Sequence, residues 1–63
     1  MNYTIRYYDN AGHCPYSCDR ECRSLAEAEQ QAYEALCGIR STGANITRFV
    51  ISEDGKEVES KSV

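Results

Sequence analysis

Between Ser24 and Ile39 the sequence carries one narrow apolar stripe and nothing wider, which limits what the chain can build. Leu25, Ala28, Ala32, Ala35, Leu36 and Ile39 recur at spacings of three, four or one, the pattern of a helix with a single buried face. Ser24-Leu25-Ala26-Glu27 reads as a capping box. In it the Ser24 hydroxyl accepts from the Glu27 amide and the Glu27 carboxylate reaches back to the Ser24 amide. Gly38 is placed to end the helix as a residue in the left-handed region. Glu27, Gln30, Gln31 and Glu34 fall on the outward side. The alanines let such a helix lie close on a sheet, so the rest of the chain is expected to supply strands.

Asn2 to Asp9 alternates Tyr3, Ile5 and Tyr7 against Thr4, Arg6 and Tyr8, the period-two pattern of a strand with one buried face. Asp9-Asn10-Ala11-Gly12 ends it with turn residues. Residues 13–23 read as an irregular stretch. Asn45 to Ser52 predicts a second strand, with Thr47, Phe49 and Ile51 on one face and Ile46 and Val50 on the other. Glu53-Asp54-Gly55-Lys56 is a hairpin turn, and Glu57 to Lys61 returns as a polar edge strand around Val58. The expected fold is α+β: a single small domain over residues 1–63, β-α-β-β, with a three-stranded sheet packed on one helix. Apolar residues on both faces of strand 45–52 place it centrally, with strand 2–9 beside it and parallel through a right-handed crossover. The alternative sets 57–61 in the middle of a wholly antiparallel sheet.

Such a domain has a thin core. Leu, Ile, Val and Phe number ten of 63, about 16%, under the roughly 20% at which disorder becomes an option. The net charge of −3 is too small to enforce disorder by repulsion, and five tyrosines add apolar surface, so the reading is a folded, marginal domain. The longest apolar run, Phe49-Val50-Ile51, falls far short of the ~20 residues of a membrane helix. Met1 to Arg6 has no apolar core of a secretory signal, and a cytoplasmic, reducing compartment is expected. Cofactor pockets alone occupy ~300–1,000 Å³, so a complete enzyme is not expected at this size.

Four cysteines are many for a chain of this length. Cys14, Cys18 and Cys22 are evenly spaced, His13 is adjacent and Cys37 lies at the helix end. On a helix, a spacing of four would stack the three sulfurs on one face. The plainest reading is free thiols and no cofactor. The alternative is a structural zinc site, with three of these cysteines and either Cys37 or His13 as the fourth ligand, although the spacing is not that of known zinc knuckles. Disulfides are the third reading, with three connectivities open. A catalytic His13–Cys14 pair is disfavoured, because adjacent residues rarely point at one another.

Charge is uneven. Residues 1–23 balance, residues 24–44 set Arg40 against Glu27, Glu29 and Glu34, and residues 45–63 set Arg48, Lys56 and Lys61 against Glu53, Asp54, Glu57 and Glu59. Acids gathered on the helix face and hairpin make direct nucleic-acid binding unfavourable. They could instead engage a basic groove on a partner, the plainer reading being a solubilising face. Arg6 and Tyr8 on the outer side of the first strand are the one feature suited to stacking on single strands. Tyr8, Tyr16 and Tyr33 fit neither core stripe, and tyrosine is favoured at protein–protein contacts.

The starting strand, the capped helix Ser24-Leu25-x-Glu27-Ala28-x-x-x-Ala32 and the closing hairpin Glu53-Asp54-Gly55-Lys56 together resemble the small accessory proteins of phages and mobile elements, anti-CRISPR proteins among them. The resemblance rests on element order and on generic capping and turn chemistry. It implies a stoichiometric inhibitor that occludes a host nucleoprotein defence complex without doing chemistry. The expected contacts are Glu27, Glu34, Glu53, Asp54, Glu57 and Tyr33. Two alternatives stand beside it: a zinc-stabilised module binding nucleic acid or protein through the Arg6–Tyr8 face and the 13–23 loop, and a homo-oligomer whose interface supplies the missing core.

Overall fold

In the computed structural model, which describes all of residues 1–63, Tyr3, Ile5 and Tyr7 turn one face of the first strand, β1 (Asn2–Asp9), into the floor of the core. Four further elements follow: β2 (Tyr16–Glu21), α1 (Leu25–Ser41), β3 (Ile46–Glu53) and β4 (Lys56–Ser62). The strands form one sheet in the order β2-β1-β3-β4, every neighbouring pair antiparallel, with α1 on one face. The α+β reading with a single helix holds.

The strand count is corrected from three to four. The segment expected to be irregular contains β2, which pairs along β1 from Asn2↔Glu21 to Tyr7↔Tyr16. That extra strand also corrects the topology. Because β2 has already reversed the chain, the helix returns it to the sheet antiparallel to β1, not parallel. The crossover therefore links β2 to β3, parallel to one another, with β1 between them. The wholly antiparallel alternative was right in direction and wrong in order, since β3 and not the last strand lies beside β1.

Two register shifts re-aim side chains. Between Tyr8 and Asp9 the partner on β3 jumps from Arg48 to Ile46, which leaves Thr47 as the extra residue. A one-residue shift turns side chains to the other face, so Ile46 joins Phe49 and Ile51 in the core and does not share a face with Val50 as its parity suggested. The second shift, between Ile51 and Ser52, makes Val58 the extra residue of β4. The closing hairpin forms as expected, with Asp54 and Gly55 at φ 52 and 83, the two positive values a two-residue primed turn requires.

The helix stripe packs as read: Ala28, Ala32 and Leu36 are buried, and Leu25, Ala35 and Ile39 pack partly buried around them. Ser24 caps it, its Oγ accepting from the Glu27 amide at 3.3 Å. The return bond to the Glu27 carboxylate is not made. Gly38 does not stop the helix. It continues to Ser41, where the Ser41 and Thr42 hydroxyls donate to the carbonyls of Gly38 and Ile39, both at 2.6 Å, and Gly43 takes the positive φ. Arg40 then donates to the Ile46 carbonyl at 3.1 Å, tying the helix end to the start of β3.

Only 12 of the 63 residues are buried, so each aromatic matters. Phe49 is at the centre, touched by Tyr7 at 5.9 Å between ring centroids and edge-on by Tyr33 at 5.1 Å. The Tyr7 hydroxyl donates to the Ala32 carbonyl at 2.7 Å and fixes the helix over β1. Full burial of a side chain such as Phe49, Ile5 or Ile51 contributes about 1.5–3 kcal/mol.

Candidate functional site

The sequence proposed two constellations, and the fold treats them differently. The cysteines are spread out. In a strand, four residues span about 13 Å, against about 6 Å along a helix, so residues 14–22 cannot stack their sulfurs once β2 forms. Cys14 is exposed, its thiol donating to the Tyr16 carbonyl at 3.2 Å. Cys18 is half-buried beneath the helix, Cys22 is buried against the end of β1, and Cys37 is exposed on α1. His13 sits in the exposed β1–β2 loop, its amide donating to Asp9 Oδ1 at 2.9 Å. All four thiols are free, and no three His, Cys, Asp or Glu side chains gather closely enough to hold an ion. The Cys14, Cys18, Cys22 and Cys37 set, with His13 as substitute, is thus not assembled into a metal centre. Burial first, and then the nearby Glu27 carboxylate, push the Cys22 thiol up, which keeps it protonated and a poor nucleophile.

The carboxylates behave otherwise. Several are used by the fold itself: Asp9 accepts from the Ala11 and His13 amides, Asp19 accepts from the Thr4 hydroxyl at 2.8 Å, and Glu29 and Glu59 flank Lys61 at 3.3 and 3.9 Å. Glu27, Glu34, Glu53, Asp54 and Glu57 make no ion pair and accept no side-chain hydrogen bond. All five are residues that the sequence singled out.

Four of these five lie at one end of the sheet, Glu53 on its helix side and Glu57, opposite Ser52, on the other. Tyr3 pairs with Glu53 across the sheet, and its phenol is pushed up by burial and then by the Glu53 carboxylate. Cys22, bonded to the Met1 carbonyl at 2.9 Å, feels Glu27 at the same end. Asp54 tips the adjoining hairpin, and Glu57 lies opposite Ser52 just past it. The helix N-terminus, the end of β2 and the β3–β4 turn therefore form one pole. Glu21, opposite Asn2, belongs to it as well. Sequence reading missed Glu21 because it fell in a segment taken as irregular. Arg23, Lys56 and the chain's amino group share this end without forming salt bridges to those acids.

Glu34 and Tyr33 do not join the pole. Glu34 lines a shallow polar groove with Arg20, Gln31 and Ala35 on the β2 side of the helix. Tyr33 lies on the β4 side, half-exposed, its ring edge spent on Phe49. The sheet face away from the helix carries a smaller feature. The Arg48 guanidinium lies 4.3 Å over the Tyr8 ring, and Arg6 is two residues along the same strand face. Arg48 was not legible as Tyr8's partner, because only the strand pairing brings the two together.

No helix is long and apolar enough to cross a membrane. Comparison with protein families, with curated proteins and with solved structures finds no match for this chain.

Proposed function

We propose that this chain is a non-enzymatic interaction protein that docks on a larger host nucleoprotein complex, as a phage-type, anti-CRISPR-like inhibitor would, and occludes it. The observation that carries the reading is the division of the carboxylates. The fold spends Asp9, Asp19, Glu29 and Glu59 on its own structure and leaves Glu27, Glu34, Glu53, Asp54 and Glu57 without an internal partner, four of them at one pole. Carboxylates without internal partners are free to meet the Lys and Arg side chains of a groove that otherwise holds a phosphate backbone. Such contacts raise the association rate and weaken with salt.

The test is phage plaquing on cells with an active CRISPR–Cas defence. Expression of the wild-type chain is expected to restore plaques. The variant with Glu27, Glu34, Glu53, Asp54 and Glu57 all changed to Lys, and shown to fold by circular dichroism, is expected to lose that effect. Failure of the wild type removes the defence complex as partner. An active charge-reversed variant removes the acidic surface.

A second reading is favoured by one specific observation, the Arg48–Tyr8 stack with Arg6 beside it. It makes the open sheet face a platform for single-stranded nucleic acid, as the alternative of a small binding module would require. Salt-sensitive binding of an oligonucleotide that is lost on Tyr8→Ala would support it. Equal binding by the variant would dismiss it.

A further inference from the structure

β2 is an edge strand whose outer side can be read from one bond. The Cys22 amide donates inward to the Met1 carbonyl, and backbone groups alternate sides along a strand. Tyr16, Cys18 and Arg20 therefore bond to β1, while Ser17, Asp19 and Glu21 present their N–H and C=O groups outward. The opposite edge, β4, is interrupted by the bulge at Val58 and bears Lys56 and Lys61, devices that discourage pairing. β2 has no bulge and no lysine. Beside it, on the helix side, lies a largely apolar groove of about 210 Å³ lined by Tyr7, Tyr16, Cys18, Ala35 and Ile39 together with Ser17 and Arg20.

We propose that the outer edge of β2 is a self-association site, where a second copy of the chain pairs antiparallel about Cys18. The self-complementary order of Tyr16, Ser17, Asp19 and Arg20 about Cys18 selects a second copy as occupant, and charge and backbone donors select the register. Two copies related by a two-fold axis, with both helices on the same side of the joined sheet, can centre on Ser17, Cys18, Asp19 or Arg20. Centring on Asp19 sets two carboxylates directly opposite one another. Centring on Arg20 opposes two guanidiniums and also places Asp19 against Glu21. Like charges directly opposite destabilise a pair. Centring on Ser17 sets Pro15, which has no N–H, against Asp19 and leaves the Asp19 carbonyl without a donor inside the ladder, whereas centring on Cys18 moves Pro15 out to Glu21 at the ladder's end. Centring on Cys18 sets Ser17 against Asp19 twice, giving four backbone hydrogen bonds, and Tyr16 against the partner's Arg20 twice, a cation–π arrangement on the groove side. The two Cys18 side chains then meet at a non-hydrogen-bonded position, the close kind of cross-strand pair. The grooves of the two copies adjoin across the axis.

The contact is small. A standard interface of about 800 Å² per partner would take about a fifth of this chain's 4030 Å² surface, and a six-residue edge offers less. Association is therefore concentration-dependent and is read by sedimentation of the full chain under reductant, from micromolar to millimolar. The expected result is a weight-average mass rising from one chain toward two. Ser17→Pro removes an outward N–H that β1 does not use, and Cys18→Lys places two ammonium groups face to face. Both are expected to remain at one chain. The two variants act through backbone and side chain separately, so misfolding of one leaves the other decisive. Diamide gives an independent readout. It accepts the two electrons and two protons that the paired thiols give up, and peptide mapping is expected to find Cys18 joined to Cys18. A wild type that stays monomeric at millimolar concentration, a dimer that survives both substitutions, or cross-links through Cys14 or Cys37 instead would each overturn the proposal.

Discussion

Tyr7 makes a prediction in which the sign of an effect reverses with pH. The residue is 1% exposed, and its hydroxyl donates to the Ala32 carbonyl at 2.7 Å. Burial, reinforced by Cys18 and opposed by Arg20, pushes its phenol from 10.0 up to about 12. Tyr7→Phe removes the donor and keeps the ring. Inside the helix Ala32 retains its bond from the amide four residues on, so no acceptor is orphaned, and the loss at neutral pH is about 1 kcal/mol. The ionisation works the other way. A pKa raised in the folded state means that its stabilising contribution is complete below pH of about 10 and is lost as pH climbs through about 12. Two units amount to about 2.7 kcal/mol once the loss is complete. The phenylalanine variant has no such proton to lose. Wild type and variant should therefore cross near pH of about 10.7, where the accumulated alkaline loss equals about 1 kcal/mol. Urea unfolding followed by far-ultraviolet circular dichroism at stepped pH measures both curves. A constant offset between them from neutral to strongly alkaline pH would refute the buried, protonated donor on which the reasoning rests.

Other substitutions divide by mechanism. Phe49→Ala removes the ring on which Tyr7 and Tyr33 pack, at a cost of about 3–5 kcal/mol. A chain of 63 residues holds only about 3–9 kcal/mol in total, so calorimetry should find the cooperative transition lost or far lowered. Gly55→Ala meets no atom within 4 Å, yet its φ of +83 strains any side chain, and thermal melting should register a loss of roughly 1–2 kcal/mol. Lys61→Ala breaks two ion pairs at a half-exposed site, and denaturant unfolding should register only a small loss of stability in low salt, shrinking in high salt.

Much of this fold was legible where periodicity and local chemistry agreed. The β1 alternation, the helix stripe and the Asp54-Gly55 turn each state one local preference that the tertiary structure has no reason to override. The failures share a cause in non-local pairing. Tyr16-Ser17-Cys18-Asp19-Arg20-Glu21 buries almost nothing, being an edge strand held chiefly by backbone bonds to β1, and hydrophobic pattern cannot report a backbone ladder. Ile46 was assigned to the wrong face because a bulge in the β1–β3 ladder resets parity, and that shift is fixed by the partner strand. Gly38 signalled a helix stop that the hydroxyls of Ser41 and Thr42 and the Arg40 tether to β3 displaced by a turn.

The one missed strand also accounts for what happened to both constellations. Five of the six residues singled out as contacts were chosen for charge and local exposure, and solvated carboxylates on a helix and a hairpin hold those properties in almost any packing. That four of them share one end needed topology. Because β2 runs back along β1, the start of the helix is delivered to the same end as the β3–β4 turn, and Glu27 shares that end with Glu53 and Asp54. The cysteine set needed a helix or a compact loop over residues 14–22 to bring its sulfurs together. Once that segment is extended, the same spacing of four that would have gathered the sulfurs draws them apart, with only Cys18 inside β2. It leaves Cys22 buried, Cys14 in solvent and Cys18 midway along an open edge. Removing β2 from the sheet would undo the pole and the edge together, so the reversal at residues 10–15 is the step on which both proposed surfaces rest.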